Sequence, residues 1–303
     1  MRNQNTIKKE FTLSGKGLHT GLFIHAKFRP LPADSGILIS RVDLPQCPTF
    51  SAIADYVSAT ERGTVLSAGE WRVSTVEHVL SALYALDIDN CLIEVDAPEM
   101  PILDGSAAYI VDAINAVGLQ EQEALCREVV IDKSIEFSNP ATGSVFTLEP
   151  SDKLSFEVEI DFQSPVLSRQ KAVIEDMSFY KEQVASARTF CFLREIGPLL
   201  QMGYIKGGDL QNAVVIYDEP MEQEQFDAFA RSLGAYTQHD ASRLWYLTPL
   251  HYSNEPALHK LLDLIGDLSL IGTRFVGKVK AYRPGHTSNT KFARKIREQI
   301  IMQ

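Results

Sequence analysis

Apolar and polar positions follow two rhythms along this chain, period two and period 3.6, and their order predicts its elements. Ile7 to Leu13 and Leu22 to Phe28 alternate on either side of Ser14-Gly15-Lys16-Gly17, which predicts a β-hairpin over residues 7–30. Short strands are expected at 37–39 and 63–66. Val76, Val79, Leu80, Leu83 and Leu86 then recur at helical spacing. Glu77 lies three residues after Ser74, the pattern of a capping box, so Ser74 or Thr75 is expected to cap this helix. A strand at Cys91 to Val95, a rigid loop from Pro98 to Ala107 and a helix over 106–117 follow. The polar run Gln120-Glu121-Gln122-Glu123 lies between that helix and a fresh strand, and the domain boundary is placed there. Beyond it, strands are expected at 128–136, 143–148 and 154–162, a helix at 177–187, and a loop with a short helix over 188–200. A buried strand at 213–217, a polar surface segment at 218–240, a helix at 255–271, a strand at 276–282 and a last helix at 289–301 complete the chain. Each half carries several strands and two helices. The reading is a two-domain α+β chain, divided into 1–125 and 126–303, with no repeat visible in the sequence itself.

Composition narrows the class. The chain has 303 residues, 45% hydrophobic and 22% charged, the balance of a globular protein. A net charge of -10 argues against general nucleic-acid binding. No apolar run approaches the roughly 18 residues of a membrane span, and the N-terminus does not read as a signal peptide. The four cysteines are scattered without a CxxC pair and are expected as reduced, mostly buried thiols in a cytoplasmic protein with no membrane insertion.

The candidate chemistry begins at His259 and Asp263. Four residues apart on a helix, they share one face and supply two ligands of a catalytic zinc site, which needs three with one position open. Glu77-His78 supplies a third ligand in His78 and a general base in Glu77. His286, in the turn Arg283-Pro284-Gly285-His286, could reach a leaving group. Asp267, one turn beyond Asp263, could hold His286 cationic, and Lys260 offers positive charge to an anionic substrate. His19 is expected as a turn histidine bonded to backbone, His25 as a polar-face strand residue, and His239 and His251 as surface or structural.

Seven segments together carry a resemblance. They are Ser14 to Gly21 (SGKGLHTG), Ser74 to His78 (STVEH), Pro101 to Ala107 (PILDGSA), Ser186 to Phe190 (SARTF), Gly207 to Ala213 (GGDLQNA), His259 to Asp263 (HKLLD) with Gly266-Asp267, and Gly285-His286. In this order, and over nearly the whole chain, they resemble the UDP-3-O-acyl-N-acetylglucosamine deacetylases, zinc amidases of lipid A biosynthesis. The resemblance implies two similar α+β domains, each a small sheet packed on two helices, with inserts and with the active site between them. It implies hydrolysis of the N-acetyl group of a UDP-linked acylated sugar, with zinc on His78, His259 and Asp263, and with iron(II) left open by the same donors. It further implies Glu77 as base, His286 paired with Asp267 as acid or electrostatic partner, and Thr189 as a donor to the oxyanion. Lys260 and Arg283 would meet the diphosphate or sugar, and Asp161 and Phe162 would border the uridine. An acyl-chain insert is expected within 190–208, lined by Phe190, Phe192, Leu193, Ile196, Leu199, Leu200, Met202 and Ile205, although these residues suit an ordinary core equally well. Some relatives are fused to a dehydratase domain, and the resemblance leaves that partner open here. Two further readings stand beside it: a hydrolase of another acylated amino sugar, and a binding protein on the same scaffold. Glu61-Arg62-Gly63-Thr64 departs from the sequences of many relatives and has no assigned role.

Overall fold

The structure, a computed structural model, describes residues 2–232 and 240–301. The first half runs β1 (Asn3–Ile7), β2 (Phe11–Lys16), β3 (Phe23–Pro30), β4 (Ile37–Arg41), β5 (Thr49–Ser51), β6 (Val57–Ala59), β7 (Val65–Ala68), β8 (Trp71–Val73), α1 (Glu77–Ala85), β9 (Cys91–Val95), α2 (Ala108–Val117) and β10 (Leu119–Leu125). The second begins with β11 (Glu128–Val130), β12 (Ile135–Asn139), β13 (Ser144–Glu149), β14 (Ser155–Ile160) and β15 (Gln170–Ile174). It continues through α3 (Tyr180–Gln183), β16 (Phe190–Phe192), α4 (Leu193–Gln201), β17 (Val214–Tyr217), α5 (Gln223–Ser232) and β18 (Trp245–Tyr246). It ends with α6 (Glu255–Ser269), β19 (Arg274–Val276), β20 (Lys278–Tyr282) and α7 (His286–Ile301).

Two five-stranded sheets share one plan. Their orders are β2-β3-β9-β4-β5 and β12-β13-β20-β14-β15. In each, a late strand, β9 or β20, enters the middle, antiparallel to one neighbour and parallel to the other. The first four strands of each sheet are followed by a three-stranded insert, β6-β7-β8 or β16-β17-β18. A helix, the central strand and a second helix then follow in the same sequence. The chain therefore repeats an architecture that its sequence conceals. A continuous apolar core runs through both sheets, from Ile24 and Ile39 to Val158 and Phe292. The second insert keeps a satellite core of its own around Leu193, Ile196, Tyr217 and Phe226.

α1 and α6 pack against each other at the centre. Every residue of α1 is buried, as is α6 from Glu255 to Leu268 except Lys260. Helices apolar on nearly all sides belong in a core. The two backbones meet at Gly266, where an added Cβ would lie 2.1 Å from the carbonyl oxygen of Glu77. Only glycine allows that approach.

Several expectations need correction. The capping box does not form: Ser74 Oγ donates to the Pro98 carbonyl, Thr75 Oγ1 to Glu99, and Glu77 faces the site instead. The polar run 120–123 forms part of β10, a surface strand paired with β1 and without an apolar face to betray it. The helix expected at 177–187 shrinks to a 3-10 turn and α3. The segment 218–240 is not purely polar surface, because α5 buries Phe226. The last helix begins three residues earlier than expected, at His286. The cysteines are free, with Cys47 exposed and Cys91 and Cys126 buried.

Alanine at Gly266 would gain about 1 kcal/mol of helix propensity but must drive apart two packed backbones, at a cost of about 1–3 kcal/mol or more. Gly266→Ala is therefore expected to lower unfolding free energy in urea. A variant as stable as the parent would refute the close approach.

Candidate functional site

The crossing of α1 and α6 assembles a cluster that neither helix holds alone. On α6, His259, Asp263 and Asp267 share one face at successive turns. At the start of α1, Glu77 and His78 arrive beside them through the contact at Gly266. Asp263 Oδ1 lies 3.4 Å from His259 Nε2 and 3.8 Å from His78 Nε2. The donor atoms of these three residues fall within 4.8 Å of one another. His259 Nδ1 donates to the Ala187 carbonyl at 3.0 Å, which leaves Nε2 as a lone pair facing Asp263. Burial pushes the His78 imidazole down to about 3, helped by His259, and lowers His259 as well. Burial would raise the Asp263 carboxyl, but His259, Lys260 and His286 outweigh it and hold it well below the usual range. Two neutral imidazoles and an ionised carboxylate are the protonation states a metal requires. Asp263 Oδ1 is buried without a hydrogen-bond partner, a costly condition that a bound cation would relieve. The residues present therefore fit a divalent cation.

Beside this cluster stand a candidate base and acid. Burial pushes the Glu77 carboxyl up to about 7, against the opposing pull of His286. Its Oε2 accepts from the Thr64 backbone N–H at 3.0 Å, and its Oε1 lies 3.9 Å from His286 Nε2. His286 opens α7 and contacts Asp267 Oδ2 through Nδ1 at 3.0 Å. Burial would lower this imidazole, yet Asp267, Asp263 and Glu77 outweigh it and raise it to about 9. Asp267 is fully buried and accepts from Thr64 Oγ1 at 2.5 Å and Asn289 Nδ2 at 2.9 Å. Thr64 and Asn289 were missed in the sequence. Asn289, three residues after His286 in a helical segment, carried a faint spacing signal, whereas Thr64 arrives from a loop with none.

The segment Ala187-Arg188-Thr189 is held by a buried ion pair. Arg188 gives its backbone N–H and Nε to Glu255 Oε1 at 3.0 and 2.9 Å, and Nη2 to the Pro249 carbonyl. This anchor fixes the carbonyl of Ala187 under His259. Thr189 continues into a cavity of about 320 Å³, together with Phe190, Ile196, Leu199, Leu200 and Ile205. Phe192 and Met202, expected as lining, do not face it. Phe192 is buried and carries the Arg194 guanidinium on its ring at 4.2 Å, while Met202 is 64% exposed. Leu193 belongs to the satellite core. A second cavity, of about 360 Å³, is lined by Asp161, Phe162, Arg283 and His286. Phe162 stands edge-on to Phe190 at 5.4 Å, at the junction of the two cavities. Lys260 pairs with Asp263 Oδ2 at 2.7 Å, with its ammonium 5.5 Å from the Phe190 ring centre.

Of the other histidines, His19 Nε2 contacts the Arg62 carbonyl, His25 pairs with Asp96, and His251 Nδ1 donates to the Ser186 carbonyl. His239 lies outside the described residues. Arg62 pairs with Glu195 rather than with Glu61. A third cavity, about 540 Å³ and lined by Tyr84, Asp89 and Arg274, includes none of the site residues above.

Fold and site together define a duplicated α+β protein with a buried candidate cation site where its two central helices cross. The chain belongs to the family described as LpxC, UDP-3-O-acyl N-acetylglycosamine deacetylase, whose model matches residues 4–229 and 237–298. It is 52% identical over 302 residues to the bifunctional enzyme LpxC/FabZ of Porphyromonas gingivalis, covering 99% of this chain and 65% of that relative. It is 39% identical over 300 residues to the UDP-3-O-acyl-N-acetylglucosamine deacetylase of Teredinibacter turnerae, covering 98% of this chain and 90% of the relative. The protein of that name from Brucella melitensis biotype 2 is 35% identical over 289 residues, covering 95% and 93%. The chain thus spans about two thirds of the bifunctional relatives and most of the others. Among the described residues, no helix is long and apolar enough to cross a membrane.

Removing the Arg188 side chain leaves the buried Glu255 carboxylate without its counter-charge, with only the backbone N–H groups of residues 188 and 251 as donors. Arg188→Ala is expected to cost about 3–5 kcal/mol. Denaturant titration checks it; a loss under 1 kcal/mol would show the pair to be dispensable.

Proposed function

We propose that this chain is a metal-dependent amidohydrolase that removes the N-acetyl group of UDP-3-O-acyl-N-acetylglucosamine, releasing acetate and the free amine, in lipid A biosynthesis. The observation that carries the reading is a base and an acid held 3.9 Å apart, Glu77 Oε1 and His286 Nε2, directly beside the His78, His259 and Asp263 donors. Zinc, or iron(II) on the same donors, when bound to His78 Nε2, His259 Nε2 and Asp263, supplies a Lewis acid for the amide carbonyl and the attacking water. Glu77, ionised, takes a proton from the water as its oxygen bonds to the carbonyl carbon. The Thr189 hydroxyl donates to the carbonyl oxygen as negative charge develops there. When the carbon–nitrogen bond breaks, His286 Nε2 gives its proton to the departing nitrogen, and Asp267 keeps the imidazolium in place.

Substrate placement follows from the cavities. The one lined by Phe190, Leu200 and Ile205 suits an acyl chain, and Phe192 and Met202 have no part in it. The one lined by Asp161, Phe162 and Arg283 suits the nucleotide, with Lys260 close to the reacting centre. A nucleotide-linked substrate places the reaction in the cytoplasm. We read the two five-stranded sheets as the cores of two domains that divide near residue 125. Likeness to the Porphyromonas gingivalis relative supports a second, dehydratase unit in the full-length protein.

Glu77→Ala should cut kcat on the UDP substrate by about 10²–10⁴-fold, whereas full activity would remove Glu77 as base. Elemental analysis should find about one zinc or iron per chain, lost in Asp263→Ala; a metal-free active enzyme would overturn the proposal. The profile of kcat/KM against pH should be a bell. It rises as Glu77 ionises, at about 7 in the metal-free cluster and lower beside a cation, and falls as His286 loses its proton at about 9. A flat alkaline side would exclude His286 as acid.

A further inference from the structure

Resting on that reading, we propose that Thr64 is a positioning residue that couples the base to the acid. Its backbone N–H donates to Glu77 Oε2 at 3.0 Å, and its hydroxyl donates to Asp267 Oδ1 at 2.5 Å. A carboxylate only accepts, so the hydroxyl proton is committed to Asp267 and an oxygen lone pair is left toward His286 Nδ1, 3.4 Å away. The Thr64 carbonyl accepts from the Val76 N–H at the start of α1, at 3.5 Å. One residue thus grips the helix that bears the base and the aspartate that orients the acid.

The neighbours reinforce this role. Gly63 leaves room for the base, since a Cβ there would lie 3.0 Å from Glu77 Oε1. Thr64 is completely buried, which excludes water as a substitute donor to Asp267. Asp267 Oδ2 already serves His286 and Asn289, so Thr64 supplies the hydrogen bond that sets the other oxygen and thereby the tilt of the carboxylate. A threonine that merely filled space would be replaced without consequence by valine, which has the same shape.

The test compares Thr64→Val with Thr64→Ser in the metal-loaded enzyme. Thr64→Val should lower kcat about ten- to a hundredfold, with KM within about twofold and metal content unchanged, and Thr64→Ser should recover at least tenfold of that loss. The low-field N–H resonance of the His286 imidazole should shift or broaden in Thr64→Val and return in Thr64→Ser, in metal-free protein as well. Equal kcat in Thr64→Val and wild type, or equal damage in both variants, would overturn the proposal. If Thr64→Val does not accumulate as folded protein, Thr64→Ala gives the same comparison without a branched carbon to misfit. If wild type shows no turnover at all, the hydrolase reading fails, and the resonance alone decides whether Thr64 orients His286.

Discussion

The site exists because two helices touch backbone to backbone. At Gly266 the axis of α6 comes close enough to α1 that a single methyl would collide with the Glu77 carbonyl. The residue making that contact is also the candidate base, and the next in sequence is His78. Any widening of the crossing would therefore move Glu77 and His78 away from Asp263 and His286 together. Burial of both helices on nearly every side keeps the contact closed, because no solvent-facing surface remains about which either could rock.

Such burial concentrates charge at a cost. Glu77, Asp263 and Asp267 place three carboxylates in a dry space against two cations, Lys260 and protonated His286. Three negative charges less two positive leave one in excess, and Asp263 Oδ1 is left without a partner. The neighbouring carboxylates raise His286 and burial raises Glu77, while burial keeps His78 and His259 neutral, and the resulting donor set suits a dication. The same field separates a base from an acid within 4 Å, a distance at which they would otherwise neutralise each other.

Much of this was legible beforehand, for identifiable reasons. His259, Asp263 and Asp267 follow a helical period, β9 alternates, and α6 repeats apolar residues at helical spacing, so spacing alone placed them on one face or in the core. The strands β5, β6 and β8 are three residues long, too short to display alternation, and β15 went unread between better signals. Ser74 and Glu77 imitated a cap because local pattern cannot show that a distant N–H, that of Thr64, claims the carboxylate. Leu200 and Met202 both read as apolar lining of one helical segment, yet one borders the cavity and the other faces solvent. At Ser74, Glu77 and Met202 tertiary closure overrode the local pattern.

The duplicated frame explains why the chemistry is not duplicated. Each half offers the same slots: an insert after its sheet, a central helix, and the start of a second helix. From the first insert comes Thr64, and from the second come Thr189 and the apolar cavity. The first central helix gives Glu77 and His78 at its start, while the second gives His259, Asp263 and Asp267 along its length. The last helix opens with His286. Its counterpart α2 opens after Gly105, whose carbonyl accepts from the Thr189 backbone N–H and whose missing Cβ admits the Asn212 carbonyl. Equivalent positions thus carry two candidate ligands and the candidate acid in the second half, and the third candidate ligand, the candidate base and Thr64 in the first. Two copies of one fold, packed face to face through their central helices, bring both sets to a single seam, where each is incomplete without its counterpart.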